Sequence, residues 1–164
     1  MVGLIWVMQI VHYPLFAQVG EATYGTFQTE HMQRITKVLF VPWGIEALTT
    51  LALVLVAPTP KLRAVALIGA ALFAAVTLIT ALLAAPIHGR LVDGFDAVEH
   101  GRLLSVNWAR TALWTARGAV ALAVVWWSIS TPVEVSTPVE ASTALEVSTP
   151  VEVSTALEVS TESE

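Results

Sequence analysis

Several ionisable side chains lie inside long apolar segments of this sequence. His12 is in the first such segment, and Glu46 and Arg110 are in later ones. Ionisable residues at such positions usually face the interior of a helix bundle, where they bind a partner, a proton or a substrate. An imidazole and a buried carboxylate can exchange a proton, and a guanidinium can hold an anionic substrate or intermediate. We therefore predict that His12, Glu46 and Arg110 are the catalytic residues.

The last apolar segment has one polar face. His100 and Asn107 are seven residues apart, a spacing that keeps two side chains on nearly the same side of a helix, and Arg110 and Arg117 lie close to that side. Counted from the starts of their segments, Glu46 and Arg110 have similar depths, so they are expected to form an ion pair. The candidate substrate-binding residues are Tyr13, His100, Asn107, Trp108 and Arg117.

Plainer interpretations of these residues exist. A buried Glu–Arg pair can serve only to hold two helices in register, and interfacial His, Trp and Tyr commonly anchor a span at the headgroup level. The sequence has no Cys and no His-x-x-x-His or Glu-x-x-His pair, so no spacing marks a metal site. Histidines on separate helices could still hold haem or an iron pair. The cofactor is left open, and the candidate metal ligands are His12, His31, His88 and His100.

The segments that carry these residues are too apolar for a soluble domain. Hydrophobic residues make up 55% of the 164 residues, charged residues only 13%, and the mean hydropathy is +0.72. The uncharged run from Ala64 to Ala85 matches the thickness of a bilayer's hydrocarbon core. We predict an all-α fold, a polytopic four-helix bundle in the cell membrane. Its approximate spans are residues 1–17, 38–57, 64–85 and 103–129.

The connections between the spans place all four histidines on one side of the membrane. Residues 58–60, Pro-Thr-Pro, form a tight turn between the second and third spans, whereas residues 18–37 and 86–102 form longer polar links on the opposite side. The periodicity from Tyr24 to Ile35 predicts a short interfacial helix in the first long link. The long links contain more Lys and Arg residues than the short turn, which favours an orientation with the histidines on the cytoplasmic side. The density of Lys and Arg is higher in the short turn, which favours the opposite orientation.

The C-terminal residues 130–164 differ from the rest of the chain. They consist of hexapeptide repeats such as STPVEV and STALEV, without an aromatic residue, and predict a disordered acidic tail. Seven of the thirteen acidic residues lie there, which leaves eight basic against six acidic residues elsewhere. No basic surface that binds nucleic acid is predicted. The expected partners are the lipid bilayer and a small-molecule substrate, and a homo-oligomer is left open.

Three strings of this sequence carry a family resemblance: GLIWVMQIVHYPLF at residues 3–16, Glu30–His31, and NWARTALWTAR at residues 107–117. They resemble a family of small bacterial membrane proteins with four spans and unknown function. That family is similar in layout to the anthrone-oxygenase-like membrane proteins, which share an Asn-x-x-Arg element in the last helix. The resemblance implies a cofactor-poor oxidation of a reduced aromatic substrate. The positions that carry over are Asn107, Trp108 and Arg110.

We expect a membrane protein with a polar pocket on the histidine side, acting as an oxidoreductase or an oxygenase-like enzyme. One alternative is a small binding or transport subunit, in which the same residues form a proton or solute path. Another is a structural assembly factor, in which the polar pairs only fix the register of the helices. The predicted pocket is lined by His12, Glu46, His100, Asn107 and Arg110.

Overall fold

The computed structural model describes residues 1–130, and this part of the chain is helical, without a strand. Its helices are α1 (Val2–Gln18), α2 (Glu21–Val56), α3 (Pro60–Asp93) and α4 (Ala97–Ser130). By length and composition, α2, α3 and α4 could each cross a membrane, and α1 is a shorter apolar helix. The predicted disordered tail, apart from its first residue, lies outside the described residues.

Helix α2 is one uninterrupted helix of 36 residues. The sequence predicted a separate interfacial helix before a span that begins at residue 38. The structure joins the two, because no helix-breaking residue lies between them and the partly buried positions of the span, such as Leu39 and Trp43, continue the helical spacing of the buried residues before it. Tyr24, Gln28 and His31 form one buried stripe on this helix. Pro42 lies inside the helix without ending it.

The turns around α3 have clear local causes. The hydroxyl oxygen of Thr59 accepts a hydrogen bond of 3.2 Å from the backbone N–H of Leu62, and Pro60 occupies the first turn. Gly94 follows the end of α3 with a φ of 145°, which favours glycine. The Asp96 carboxylate then accepts two backbone N–H groups of the first turn of α4, both at 2.8 Å. The structure therefore replaces the predicted long link over residues 86–102 by a short turn, because α3 continues to Asp93 and α4 begins at Ala97. Helices α3 and α4 form an antiparallel pair across this turn.

Helices α1 and α3 each contain a π-helical turn that is followed by a proline. In α1 the turn is Met8–His12 and the proline is Pro14, and in α3 they are Thr80–Ala84 and Pro86. A π turn inserts an extra residue into the helix, and proline lacks the N–H that would close the next backbone bond. Both features change the direction of the side chains that follow. These side chains include Tyr13 and His88, which form the site described below.

The packing of α4 against α1 and α3 sets the register of the molecule. Gly118 allows the closest approach to α1, since a Cβ atom at this position would lie 2.7 Å from a side-chain carbon of Val2. Further along the same interface, Ile5 and Trp114 share a buried apolar cluster with Val76 of α3. The outer surfaces of the helices are rich in exposed large apolar side chains.

Candidate functional site

All four histidines surround the buried side chain of Phe16, and each comes from a different helix. The ring centroids of His12 and His31 lie 5.2 and 5.0 Å from that of Phe16. Those of His88 and His100 lie at 6.4 and 6.5 Å. The structure therefore brings together the histidines that the predicted topology places on one side, and we call the four the histidine cluster.

Gln28 determines the orientation and the proton position of His88. The side-chain nitrogen of Gln28 lies 3.2 Å from the His88 carbonyl oxygen, which only accepts hydrogen bonds, so the NH₂ group faces it. The same nitrogen lies 2.8 Å from His88 Nδ1, which must then accept. We assign the ring proton to Nε2, which donates to the Tyr13 hydroxyl oxygen at 3.1 Å. The hydrogen of the Tyr13 hydroxyl is left to donate to another group.

Arg110 begins a second chain of hydrogen bonds into the interior. Its Nη1 donates to Asn107 Oδ1 at 3.1 Å, and Asn107 Nδ2 donates to Gln9 Oε1 at 2.8 Å. The guanidinium also interacts electrostatically with the Tyr13 hydroxyl and with His88. Among residues 1–130 no carboxylate forms an ion pair with Arg110. Its Nε atom is buried and has no hydrogen-bond partner.

An apolar groove of about 790 Å³ between α2 and α3 leads to these polar groups. Its walls include Leu39, Trp43 and Phe73. His31 and Arg110 both line this groove, and among residues 1–130 the buried atoms His31 Nε2 and Arg110 Nε have no hydrogen-bond partner. Buried polar atoms are nearly always hydrogen-bonded, so these two nitrogens make the groove the candidate binding site. The Tyr24 hydroxyl and Gln28 Oε1, on residues outside the groove, also have no partner among residues 1–130. The lining also includes one charged side chain and three polar ring side chains: Arg110, Tyr13, His31 and His88.

A second group of polar residues surrounds Arg117, and each nitrogen of its guanidinium donates to a protein oxygen. Arg117 Nη2 and Nε lie 2.7 and 3.1 Å from Oε2 of Glu46, and Nη1 donates to the Gly69 carbonyl oxygen at 2.7 Å. The guanidinium also donates to the Thr50 hydroxyl and lies 5.2 Å above the Phe73 ring. We call this group the Arg117 cluster.

The predicted ion pair between Glu46 and Arg110 is therefore wrong. The prediction counted depths from the starts of the predicted spans, and these are not the ends of α2 and α4. Contacts between the helices set the actual register: the rings of Trp43 and Trp114 pack with centroids 6.3 Å apart. Glu46 and Arg117 each follow those residues by three positions in helices that run in the same direction, so they meet.

An aromatic layer separates the histidine cluster and Arg110 from the Arg117 cluster. Trp114 is fully buried, and its ring lies 6.3 Å from Trp43 and 6.1 Å from Phe73. The two arginines are seven residues apart on α4, which corresponds to about 10 Å along the axis. Within residues 1–130 no side-chain hydrogen bond joins Arg110 or the histidine cluster directly to the Arg117 cluster, although along α4 the Thr115 hydroxyl donates past Trp114 to the Thr111 carbonyl oxygen at 2.7 Å.

The remaining candidates take other positions. His12 Nε2 lies 3.0 Å from His31 Nδ1, and His100 Nε2 donates to the Tyr13 carbonyl oxygen at 2.8 Å. Trp108 is 49% exposed and packs edge-on against Trp6, away from the groove. Within residues 1–130 no three His, Asp or Glu side chains are arranged to hold a metal ion.

Gln28 is the main residue of the site that the sequence reasoning missed. It lies four residues after Tyr24 and three before His31, so helical spacing alone places it on their buried face. A polar residue on that face could have been identified as a partner for a buried histidine. Its identity as the partner of His88, 60 residues away, depends on the packing of α2 against α3.

Comparison with known proteins adds one partial match. Residues 128–162 match a family described as a Schizosaccharomyces pombe repeat of unknown function (DUF963). This match covers the hexapeptide repeats and, of the helices, only the last three residues of α4. No curated protein and no solved structure matches the chain.

Proposed function

We propose that the protein is a polytopic membrane protein in which all four helices cross the cell membrane as a bundle. Three helices have the required length and apolar composition. Helix α1, with a length of roughly 25 Å, approaches the thickness of the hydrocarbon core. The outward side chains support the proposal, because Phe40 is 77% exposed and Leu122 is 71% exposed. Such side chains are favourable in lipid and unfavourable in water.

In this setting the groove between α2 and α3 opens toward lipid and admits a lipophilic small molecule from the bilayer. The observation that carries this proposal is the pair of buried nitrogens without partners, His31 Nε2 and Arg110 Nε, on residues that line the groove. In a membrane, an unsatisfied polar group is unfavourable by several kcal/mol. A rotation of the His31 or Arg110 side chain toward the groove would let a bound molecule with a polar end supply the missing hydrogen bonds.

The chemistry that we propose at this site is the oxidation of a reduced aromatic compound by dioxygen, which the family resemblance suggests. His31 Nε2 takes a proton from a ring CH₂ group, provided that His31 Nδ1 donates to His12 Nε2. The electrons pass to dioxygen. Overall, one CH₂ group and one O₂ give one C=O group and one water. Aromatic residues in the groove, including Trp43 and Phe73, provide stacking surfaces for such a substrate.

Oxygen uptake by the protein in nanodiscs, with anthrone as the probe, tests this proposal. His31→Gln should lower the rate at least about 100-fold, since glutamine cannot take up the proton. Gly44→Phe should also abolish uptake, because Gly44 lines the groove and has open space around its Cβ position. Gly3→Phe is the matched control, since Gly3 has the same open space outside the groove. Unchanged uptake in Gly44→Phe would rule out the groove as the site. A visible spectrum and a metal analysis of the same sample reveal any bound haem or iron.

Transport is the alternative function, and one observation favours it. Polar residues recur along α4 from His100 to Arg117, over about 25 Å. The aromatic layer closes this path, so we rank transport second. If oxidation rather than transport is the function, the wild-type protein in proteoliposomes should show no proton flux. A pH-driven proton flux in the wild type that Arg110→Gln removes would make transport the preferred function.

A further inference from the structure

The charge at the groove indicates what kind of molecule it binds, if the groove is the binding site that we propose. We infer that the site holds its ligand as a lipophilic monoanion whose negative charge is on oxygen, and that Arg110 and the Tyr13 hydroxyl bind this oxygen. For the proposed ring substrate this is the anion that remains after His31 takes its proton. Neither the family resemblance nor the comparisons assign such a ligand.

The first argument is charge balance. Arg110 and Arg117 lie on the same helix, and both are largely buried. Arg117 is neutralised by Glu46 at 2.7 Å. Arg110 has only neutral partners, Asn107 and Tyr13, among the residues that the structure describes. An isolated buried charge is strongly unfavourable, so a counter-charge from a ligand would stabilise the site.

The second argument is the direction of the hydrogen bonds. The Tyr13 oxygen already accepts from His88 Nε2, which leaves the Tyr13 hydroxyl hydrogen to donate. The Arg110 guanidinium, which lines the groove, also offers only donors, since it has no acceptor atom, and its Nε–H has no partner among residues 1–130. An ammonium or amine ligand would meet donors at both positions. An anionic oxygen would accept from both, which gives short, charge-assisted hydrogen bonds.

The third argument concerns the rest of the ligand. The groove of about 790 Å³ is large enough for a molecule with a substantial apolar body. Both aliphatic and aromatic side chains line it, among them Leu39, Leu48, Trp43 and Phe73. An alkyl carboxylate and a ring-bearing phenolate share the required chemistry, and direct binding measurements distinguish them.

The test uses the full chain in nanodiscs of uncharged phosphatidylcholine, with empty nanodiscs subtracted. Equilibrium dialysis measures the binding of dodecanoate, 1-dodecanol and 2,4-dinitro-1-naphtholate. We expect at least one of the two anions to bind at least about tenfold more tightly than the neutral alcohol. The preferred anion shows whether the natural ligand has a chain or a ring.

Three variants test the role of Arg110 in this binding. Arg110→Gln should remove the preference for the anion. Asn107→Asp should remove it too, because it places a carboxylate on Arg110 and neutralises it within a folded protein. Arg102→Gln, which changes an exposed arginine, should retain the preference as the matched control.

The outcomes separate the inference from the proposed function. Anion preference that disappears in both Arg110→Gln and Asn107→Asp supports the inference. Equal binding of anion and alcohol, both blocked by Gly44→Phe, overturns the inference and leaves the groove as a binding site. Binding that Gly44→Phe does not change overturns both.

Discussion

The two buried arginines of α4 show how similar residues in one helix can have different roles. Arg117 donates to a carboxylate, a hydroxyl and a backbone carbonyl, so the protein satisfies its charge and its hydrogen bonds. Arg110 donates to one amide oxygen, has a free Nε–H and lies at an apolar groove. The difference indicates that Arg117 holds helices together, whereas Arg110 is prepared for a partner that the chain itself does not supply in the described residues.

Breaking the Arg117 cluster should have the largest effect on stability. Glu46→Gln leaves the guanidinium of Arg117 without its counter-charge, and we expect a loss of about 3 kcal/mol in the free energy of unfolding. Arg110→Gln should lower the free energy of unfolding by less than about 1 kcal/mol, or should raise it, because this substitution removes a charge that has no carboxylate partner within residues 1–130. Unfolding in mixed micelles titrated with SDS measures both values. Equal losses in the two variants would contradict the comparison.

The second prediction contrasts one neutral side chain from each cluster. Gln28→Leu removes the bonds that orient His88, and we expect about a tenfold lower turnover in the oxygen-uptake assay. Thr50→Val, in the Arg117 cluster, should leave turnover unchanged and lower the stability by about 1 kcal/mol. The pair is matched, since each variant replaces a polar side chain by an apolar one of similar size. A loss of turnover in Thr50→Val would show that the aromatic layer does not isolate the two clusters.

The smallest effect is expected for an ion pair that belongs to neither cluster. Arg34 and Glu30 are 2.9 Å apart on α2, close in sequence to His31, but their side chains are 79% and 51% exposed. Arg34→Gln should change the stability by about 0.3–0.5 kcal/mol and leave anion binding unchanged. A large drop in anion affinity would mean that surface charge, rather than Arg110, attracts the ligand.

The clustering of the histidines could be predicted from the sequence. The continuous α2 helix and the partner of Glu46 could not, because each segment was considered separately from its neighbours. The order of the connections placed the histidines on one side, and the structure brings them together around Phe16. The continuous α2 helix was missed because the polar residues before position 38 suggested a link, although their helical spacing continues into the span. The partner of Glu46 was missed because depth was counted along each segment separately.

The sequence by itself determined that four apolar segments are helical, because this depends on local composition and periodicity. It did not determine where the helices end, since it placed His31 and His88 in links and the structure places them in α2 and α3. Only the tertiary structure decided that Glu46 binds Arg117 and that Arg110 has no carboxylate partner within residues 1–130. The axial register of two helices depends on contacts between residues far apart in the chain, such as Trp43 with Trp114 and Val2 with Gly118. Because Arg110 and Arg117 are seven residues apart, a shift of α4 by two turns, about 10 Å, would place Arg110 instead of Arg117 beside Glu46, and no local pattern encodes that shift.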